Sequence, residues 1–391
     1  MSDYIVDMPV KIIQREGAVK ELGAVAAEYG RKAAVVVDPY FSSTDTMDEI
    51  RTDLRAHGIT FEEYSDISSN PHNTAIDKMT ADVADKGLTV VIAIGGGSAI
   101  DTAKAVAIAA VHGGTCWDYT ERAGEDVKRP ASGVLPLIAV PTTSGTGSEA
   151  TPYAVINNPD LHLKATIVNH LIFPAVSILD PGMTKTMPPQ LTALTGIDTF
   201  AHCFEAYISR GASSFTDMAA KEGMRLFAEN IERAVHEPDD MEARTNMALA
   251  SMYGGMAIAR KGTTAPHAIG QALGGLYNAP HGGSLAAVLA AVVRWTLPDC
   301  AERFAETAVI LDPATAALPT VGERAAKLPE ILEQLWGRIL SEPVSCSAYG
   351  LTEEGIPEMA DAVLKCYYGD CLNHPKVPLR DDIVAIIRDS L

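Results

Sequence analysis

The sequence predicts a chain in two parts, an α/β N-terminal part built on a parallel sheet and an all-helical C-terminal part. Three observations carry this. Up to about Pro181, short β-branched runs alternate with helical stretches, and runs such as Ala33 to Val37 and Thr89 to Ile94 show no in-out alternation. Continuous apolar strands separated by helices belong to a parallel sheet covered on both faces. From Pro188 onward the apolar spacing is helical almost throughout, with no strand-like run of note. The chemistry also changes along the chain: glycine- and hydroxyl-rich loops crowd the first part, whereas paired Asp and His positions fall in the second. The domains are accordingly placed at 1–186 and 187–391.

Taken in order, Ala18 to Tyr29 reads as a helix, Ala33 to Val37 as a buried strand and Asp45 to His57 as a polar amphipathic helix. Ile59 to Tyr64 reads as a strand, Thr74 to Lys86 as a helix and Thr89 to Ile94 as a strand. Val134 to Val140 and Val176 to Leu179 complete the sheet. Leu191 to Arg210, Thr216 to Val235, Glu242 to Ala259 and Ser284 to Trp295 are the clearest helices of the second part.

With 391 residues the chain is long enough for two domains with sizeable cores. Fifty acidic residues against 31 basic ones leave a net charge of −19, which argues against a nucleic-acid or anionic-membrane surface. Apolar runs such as Ser284 to Val293 are too short to span a bilayer. Asp3 and Asp7 stand where a signal peptide would be basic, and the six cysteines lack zinc-type pairing, so the expected setting is a reducing cytoplasm.

Two loops stand out. Gly95-Gly96-Gly97-Ser98 follows a buried strand and opens a helix, so its backbone N–H groups can approach a phosphate at the positive end of the helix dipole. The second, Pro141-Thr142-Thr143-Ser144-Gly145-Thr146-Gly147, offers hydroxyls and glycines to a sugar, an adenine edge or a phosphate. Loops at the carboxyl ends of parallel strands are where open α/β sheets bind ligands. Asp38 ends the Ala33–Val37 strand, and a carboxylate there suits ribose hydroxyls and repels a 2′-phosphate, which favours NAD over NADP.

In the second part, Asp198 and His202 are four apart and project from one helix face. His267 begins another helical segment, and His281 follows a proline in what reads as a turn. One carboxylate with three imidazoles is a suitable set for a divalent transition metal.

In chain order, GGGSAIDTAKA, PTTSGTGSEAT, LDP, GIDTFAHCFEAYIS and HAIGQALGGLYNAPHG resemble the iron-containing (group III) alcohol dehydrogenases. The resemblance runs from the Asp38 strand to Asn373-His374-Pro375-Lys376. It implies a dehydroquinate synthase-like architecture, with an α/β N-terminal dinucleotide-binding domain and an all-α C-terminal metal-binding domain, and a metal-dependent, NAD-linked alcohol dehydrogenase or aldehyde reductase that forms a homodimer or larger homo-oligomer. The metal would be Fe²⁺, with Zn²⁺ or another divalent ion as substitute, held by Asp198, His202, His267 and His281. Gly96, Gly97 and Ser98 fall on the pyrophosphate loop, Thr142, Thr143 and Ser144 on the second cofactor loop, and Asn70 and Lys164 on further cofactor contacts.

There are departures from the family pattern. Ala99 replaces a proline. Gln271 stands where many members carry a histidine that is a plausible proton relay, and glutamine cannot exchange a proton near neutral pH. Arg260-Lys261 is unusually basic just ahead of the His267 helix and would favour an anionic substrate if it faced the reacting centre. Gln271, Arg260 and Ile258 are therefore the substrate-side candidates, with Asp370 and Cys371 nearby in the family's C-terminal segment. Two other classes compete: a dehydroquinate-synthase-like lyase, whose ligand set and basic phosphate pocket differ, and a non-catalytic NAD- or metal-binding protein.

Overall fold

The structure is a computed structural model that describes residues 6–122, 125–161 and 163–391. The chain divides into two compact units, Asp7–Thr143 with Gly147–Lys185, and Thr186–Leu391 with Ser144–Thr146.

The first unit runs β1 (Lys11–Gln14), α1 (Leu22–Ala27), β2 (Lys32–Val37), α2 (Asp45–Ala56), β3 (Thr60–Tyr64), α3 (Asn73–Asp85), β4 (Val90–Gly95) and α4 (Gly97–His112). It continues through β5 (Thr120–Glu121), β6 (Leu137–Pro141), β7 (Tyr153–Asn158), β8 (Leu163–Val168) and β9 (Val176–Leu179). Six strands form a parallel sheet in the order β1-β9-β6-β4-β2-β3. Its two faces explain the unbroken apolar runs. Ala34 and Val36 of β2, with Val91 and Ala93 of β4, join the core beneath α3 and α4. Ala33, Val35 and Val37, with Val90, Ile92 and Ile94, join the opposite core with Leu22, Met47, Ile50 and Leu54 of α1 and α2. Every side chain from Ala33 to Val37 and from Val90 to Ile94 is therefore inside.

The expected Ala18–Tyr29 helix resolves into a 3₁₀ turn, Ala18–Glu21, followed by the short α1, and the strand expected from Val134 begins only at Leu137. A three-stranded sheet, β5-β8-β7, was not anticipated. Its strands are antiparallel, and β7 alternates buried Ala154, Ile156 and Asn158 with more exposed neighbours, so it lacks the continuous apolar run sought for a parallel sheet.

The second unit is helical: α5 (Pro189–Ile208), α6 (Ser214–His236), α7 (Met241–Ile258), α8 (Ala265–Tyr277), α9 (His281–Thr296) and the shorter α10 (Ala301–Leu311), α11 (Val321–Ala326), α12 (Leu328–Ile339), α13 (Ile356–Ala362), α14 (Tyr368–Asn373) and α15 (Arg380–Asp389). Phe200 and Phe204 of α5 stack at 5.5 Å between ring centroids, and Phe200 meets Phe227 at 5.3 Å and Trp336 at 6.0 Å. Helix α5 is thus the centre of this unit and is buried on nearly every side. Among the described residues no helix is long and apolar enough to cross a membrane.

Candidate metal centre and cofactor loops

A polar side chain on a helix buried all round is costly unless it has partners. Besides Thr192 and Thr199, helix α5 carries Asp198, His202 and Glu205, at positions i, i+4 and i+7 of one face, and all are buried. Helix α8 brings His267 and α9 brings His281. The turn expected at His281 lies just ahead of it: Asn278 closes α8 in the left-handed conformation (φ 54°), Pro280 caps, and His281 is the first residue of α9. A proline cannot continue α8, so the chain turns there and restarts with the histidine leading.

The three imidazoles converge on one atom. Asp198 Oδ1 lies 3.5 Å from His202 Nε2, 3.5 Å from His267 Nε2 and 3.4 Å from His281 Nε2. Ligand atoms of Asp198, His267 and His281 all fall within 4.8 Å of one another, and the His202 ring stacks on His267 with centroids 4.8 Å apart. Close approach of α9 to α5 makes this convergence. A Cβ on Gly282 would lie 2.0 Å from the Leu194 carbonyl oxygen, so only glycine fits beside His281.

Charge follows the geometry. Burial alone would raise the Asp198 pKa, but His202, His281 and His267 outweigh it and hold the carboxyl well below the usual range. Burial pushes His202 down to about 4 despite Asp198. His267 goes the other way, to about 10, because Glu205 and Asp198 together overcome its burial. Asp198 Oδ1 and His267 Nε2 are buried without a hydrogen-bond partner. An oxygen and imidazole nitrogens at this spacing fit a divalent ion such as Fe²⁺ or Zn²⁺, and an ion between them satisfies both orphaned atoms.

Glu205 escaped the sequence reading. Its Oε1 accepts from His267 Nδ1 at 2.5 Å, and its Oε2 accepts from Thr264 N at 2.6 Å and Thr264 Oγ1 at 3.0 Å. The signal was present: Glu205 follows Asp198 and His202 on the same face of a helix that is otherwise largely apolar, so it must be buried and therefore partnered.

Asp38, Gly96, Gly97, Ser98, Thr142 and Thr143 lie in the α/β unit at the carboxyl ends of three adjacent strands, β2, β4 and β6, whereas Asn70 precedes α3 and Lys164 lies on β8 of the smaller sheet. The chain steps outward from β2 to β3 and then returns to the other side of β2 for β4, so β2 and β4 flank the switch point where open sheets bind ligands. Asp38 follows β2, Gly95 closes β4, and Gly96 is the N-cap of α4, which begins at Gly97. These segments touch. Thr142 N donates to the Gly95 carbonyl at 3.0 Å, and Cβ atoms on Gly95 and Gly96 would meet Asp38 Cβ at 3.1 Å and Thr143 Cγ2 at 3.3 Å. Ser98 Oγ donates to Ser69 O, and Lys164 Nζ to Asn70 Oδ1, each at 2.8 Å, so the 69–70 segment links Ser98 to Lys164. Burial lowers the Lys164 pKa. Ser144 groups with the helical unit, where its carbonyl accepts from Thr199 Oγ1 at 3.2 Å.

Of the substrate-side candidates, Gln271 is half-buried on α8, one turn beyond His267. Ile258 is 5% exposed and packs in the core of α5–α7. Arg260 Nη1 donates to the Gly211 carbonyl at 2.7 Å. Cys371 is buried, and the half-buried Asp370 is pushed up to about 6 by burial.

A parallel sheet with glycine loops at its switch point, and helices gathering one carboxylate and three imidazoles, are the features expected of a metal-dependent dehydrogenase. Comparison with known proteins agrees. The model of iron-containing alcohol dehydrogenases matches residues 9–181, and that of the C-terminal part of the Fe-containing alcohol dehydrogenase family matches residues 192–391. The chain is 32% identical over 385 residues to an NAD-dependent methanol dehydrogenase of Bacillus methanolicus, covering 98% of both. It is 33% identical over 363 residues to a 1,3-propanediol dehydrogenase of Klebsiella pneumoniae, covering 92% of both. An alcohol dehydrogenase structure from Oenococcus oeni superposes with a TM-score of 0.93 at 31% identity, covering 100% of both chains. The chain belongs to the iron-containing alcohol dehydrogenase family and is an alcohol dehydrogenase, which leaves the lyase and non-catalytic readings without support.

Proposed function

We propose that this enzyme transfers hydride between the carbinol carbon of a small primary alcohol and NAD, with Asp198, His202, His267 and His281 holding a divalent ion, Fe²⁺ in the first place. The observation that carries this is the convergence of three Nε2 atoms on Asp198 Oδ1, with that oxygen and His267 Nε2 both buried and unpartnered. An ion bound there supplies Lewis acidity toward the alcohol or carbonyl oxygen, and NAD supplies the hydride acceptor. Asp198 contributes a full negative charge, which its neighbours keep ionised. His281, with its side chain 48% exposed, leaves one side of the group open to an incoming alcohol.

On the cofactor side, the backbone N–H groups of Gly96, Gly97 and Ser98 at the N-terminus of α4 suit a pyrophosphate. Thr142, Thr143 and Ser144 line the second loop, Asn70 and Lys164 add a linked polar pair, and Asp38 favours NAD over NADP. The methanol and propanediol relatives support a short primary alcohol as substrate. Arg260 is tied to Gly211, so neutral alcohols take precedence over anionic ones. Gln271 offers no titrating proton, and water carries the alcohol proton away in this reading. A reducing cytoplasm accords with six free cysteines, and the assembly is proposed to be a homodimer or larger.

The test is anaerobic initial-rate NADH formation by Fe²⁺-loaded enzyme across primary alcohols, with both NAD⁺ and NADP⁺ and with His267→Ala as control. The expected result is NAD⁺-preferring turnover, lost on chelation, restored by Fe²⁺ or Zn²⁺ and absent from the variant. Turnover that survives complete removal of metal overturns the proposal.

A further inference from the structure

We infer that Glu205 is a positioning residue for the metal centre: it locks His267 in the tautomer that presents Nε2 to the ion. The inference rests on the metal reading above. Both oxygens of this fully buried carboxylate point at α8. Oε2 takes the backbone N–H and the hydroxyl of Thr264, the N-cap of that helix, and Oε1 takes Nδ1 of His267 three residues on. An ionised carboxylate only accepts, so Nδ1 carries a hydrogen whatever the charge of the ring, and the proton that an ion would displace is the one on Nε2. That Nε2 is the atom facing Asp198 Oδ1 at 3.5 Å.

Thr264 fixes the carboxylate in turn. Two donors on Oε2 prevent it from rotating away, and the bonds pin the first turn of α8 to α5, so ring orientation and helix position are set by one group. His202 has a weaker version of the same support, its Nδ1 lying 3.3 Å from the Gly145 carbonyl oxygen. A charged acceptor holds its donor about twice as strongly as a neutral one, which makes His267 the firmest of the imidazoles.

Glu205→Gln keeps the shape and breaks the logic. If the amide oxygen faces His267, the NH₂ opposes the Thr264 N–H. If the amide flips, its NH₂ faces Nδ1 and drives the ring to the other tautomer, with hydrogen on the metal-facing Nε2. Either way Zn²⁺ affinity, measured by competition with a chromophoric chelator, is expected to fall about 10- to 100-fold. Glu205→Asp, shorter but still charged, is expected to recover part of it. Long-range ¹H–¹⁵N spectra of the Zn²⁺-loaded wild type should show a protected Nδ1 proton on His267 that is lost or fast-exchanging in the Gln variant. NADH affinity reports on the α/β unit and should be unchanged. Equal Zn²⁺ affinity in wild type and both variants, with NADH binding retained, overturns the role of Glu205. Wild type that binds no Zn²⁺ or Fe²⁺ while still binding NADH overturns the metal reading, and the inference with it.

Discussion

His267 Nε2 and Asp198 Oδ1 face each other across 3.5 Å, beyond the usual hydrogen-bond range, and both atoms are buried without a partner. Each such atom costs about 1–3 kcal/mol, a cost that an ion between them would offset. Adding Fe²⁺ or Zn²⁺ to metal-free protein is therefore expected to raise its thermal midpoint. At 100 times the dissociation constant the gain is about 2.7 kcal/mol. Asp198→Asn and His267→Ala should abolish that shift in differential scanning calorimetry. An equal shift in wild type and variants would show that the ion binds elsewhere.

Gly282 sets the third imidazole. A methyl group there would sit 2.0 Å from the Leu194 carbonyl oxygen, a backbone atom that cannot swing aside. Gly282→Ala is expected to push the first turn of α9 off α5, lower stability by about 1–3 kcal/mol and carry His281 out of reach. Chelator competition should then show weakened metal binding with far-UV circular dichroism unchanged. Gly322→Ala, where nothing lies within 4 Å of the added carbon, is the control and should leave both unchanged.

At the cofactor loop, a Cβ on Gly95 would meet Ala99 Cβ at 2.6 Å and Asp38 Cβ at 3.1 Å. Gly95→Ala must therefore displace the start of α4, Asp38, or both. NADH affinity by fluorescence titration is expected to drop about tenfold or more, equivalent to about 1.4 kcal/mol, with metal affinity retained. Unchanged NADH affinity would remove this loop from the cofactor site.

A buried charge cluster ties α4 to the segment after the second loop. Lys104 Nζ donates to Ser148 O at 2.6 Å, Ser148 Oγ at 2.8 Å, Thr151 Oγ1 at 3.1 Å and Tyr153 O at 2.7 Å. Burial raises Glu149 from 4.5 to about 7, against the pull of Lys104, and lowers Lys104 from 10.5 to about 8, against Asp101 and Glu149. Between pH 4.5 and 7 the folded protein holds more protons at Glu149 than the unfolded chain, so this group makes stability fall as pH rises. Between pH 8 and 10.5 the folded protein holds fewer at Lys104, and stability rises with pH. Urea unfolding of wild type against Glu149→Gln should show the first slope flattened in the variant. Lys104→Met leaves the carboxylates and carbonyls uncompensated and is expected to cost about 3–5 kcal/mol at neutral pH.

How far the sequence could be read depended on pattern. Strands β2 and β4 were legible because burial on both faces removes any alternation. The β7–β8 hairpin was not, because a one-sided antiparallel sheet mixes polar and apolar residues, as Tyr153–Asn158 does. The four-residue edge strand β1 was too short and too exposed to register. At the site, Asp198 and His202 declared themselves through i,i+4 spacing, and the glycine loops through their place after strands. Glu205 and Lys104 did not, since charged residues on helices ordinarily face solvent and only packing shows that these do not.

The sequence by itself determined the parallel sheet, the two glycine-bearing loops after its strands and the kinds of atom on offer to an ion, because strand and helix periods place near neighbours on known faces. Tertiary structure decided the rest. It chose Oδ1 of Asp198 as the point where three Nε2 atoms meet, turned His267 by a carboxylate from another helix, and made His281 lead α9 rather than sit in the turn before it. The reason is physical. A helix fixes what lies within two turns of a residue, whereas the meeting of α5, α8 and α9 depends on how closely their backbones pack, and that is set by a missing side chain at Gly282.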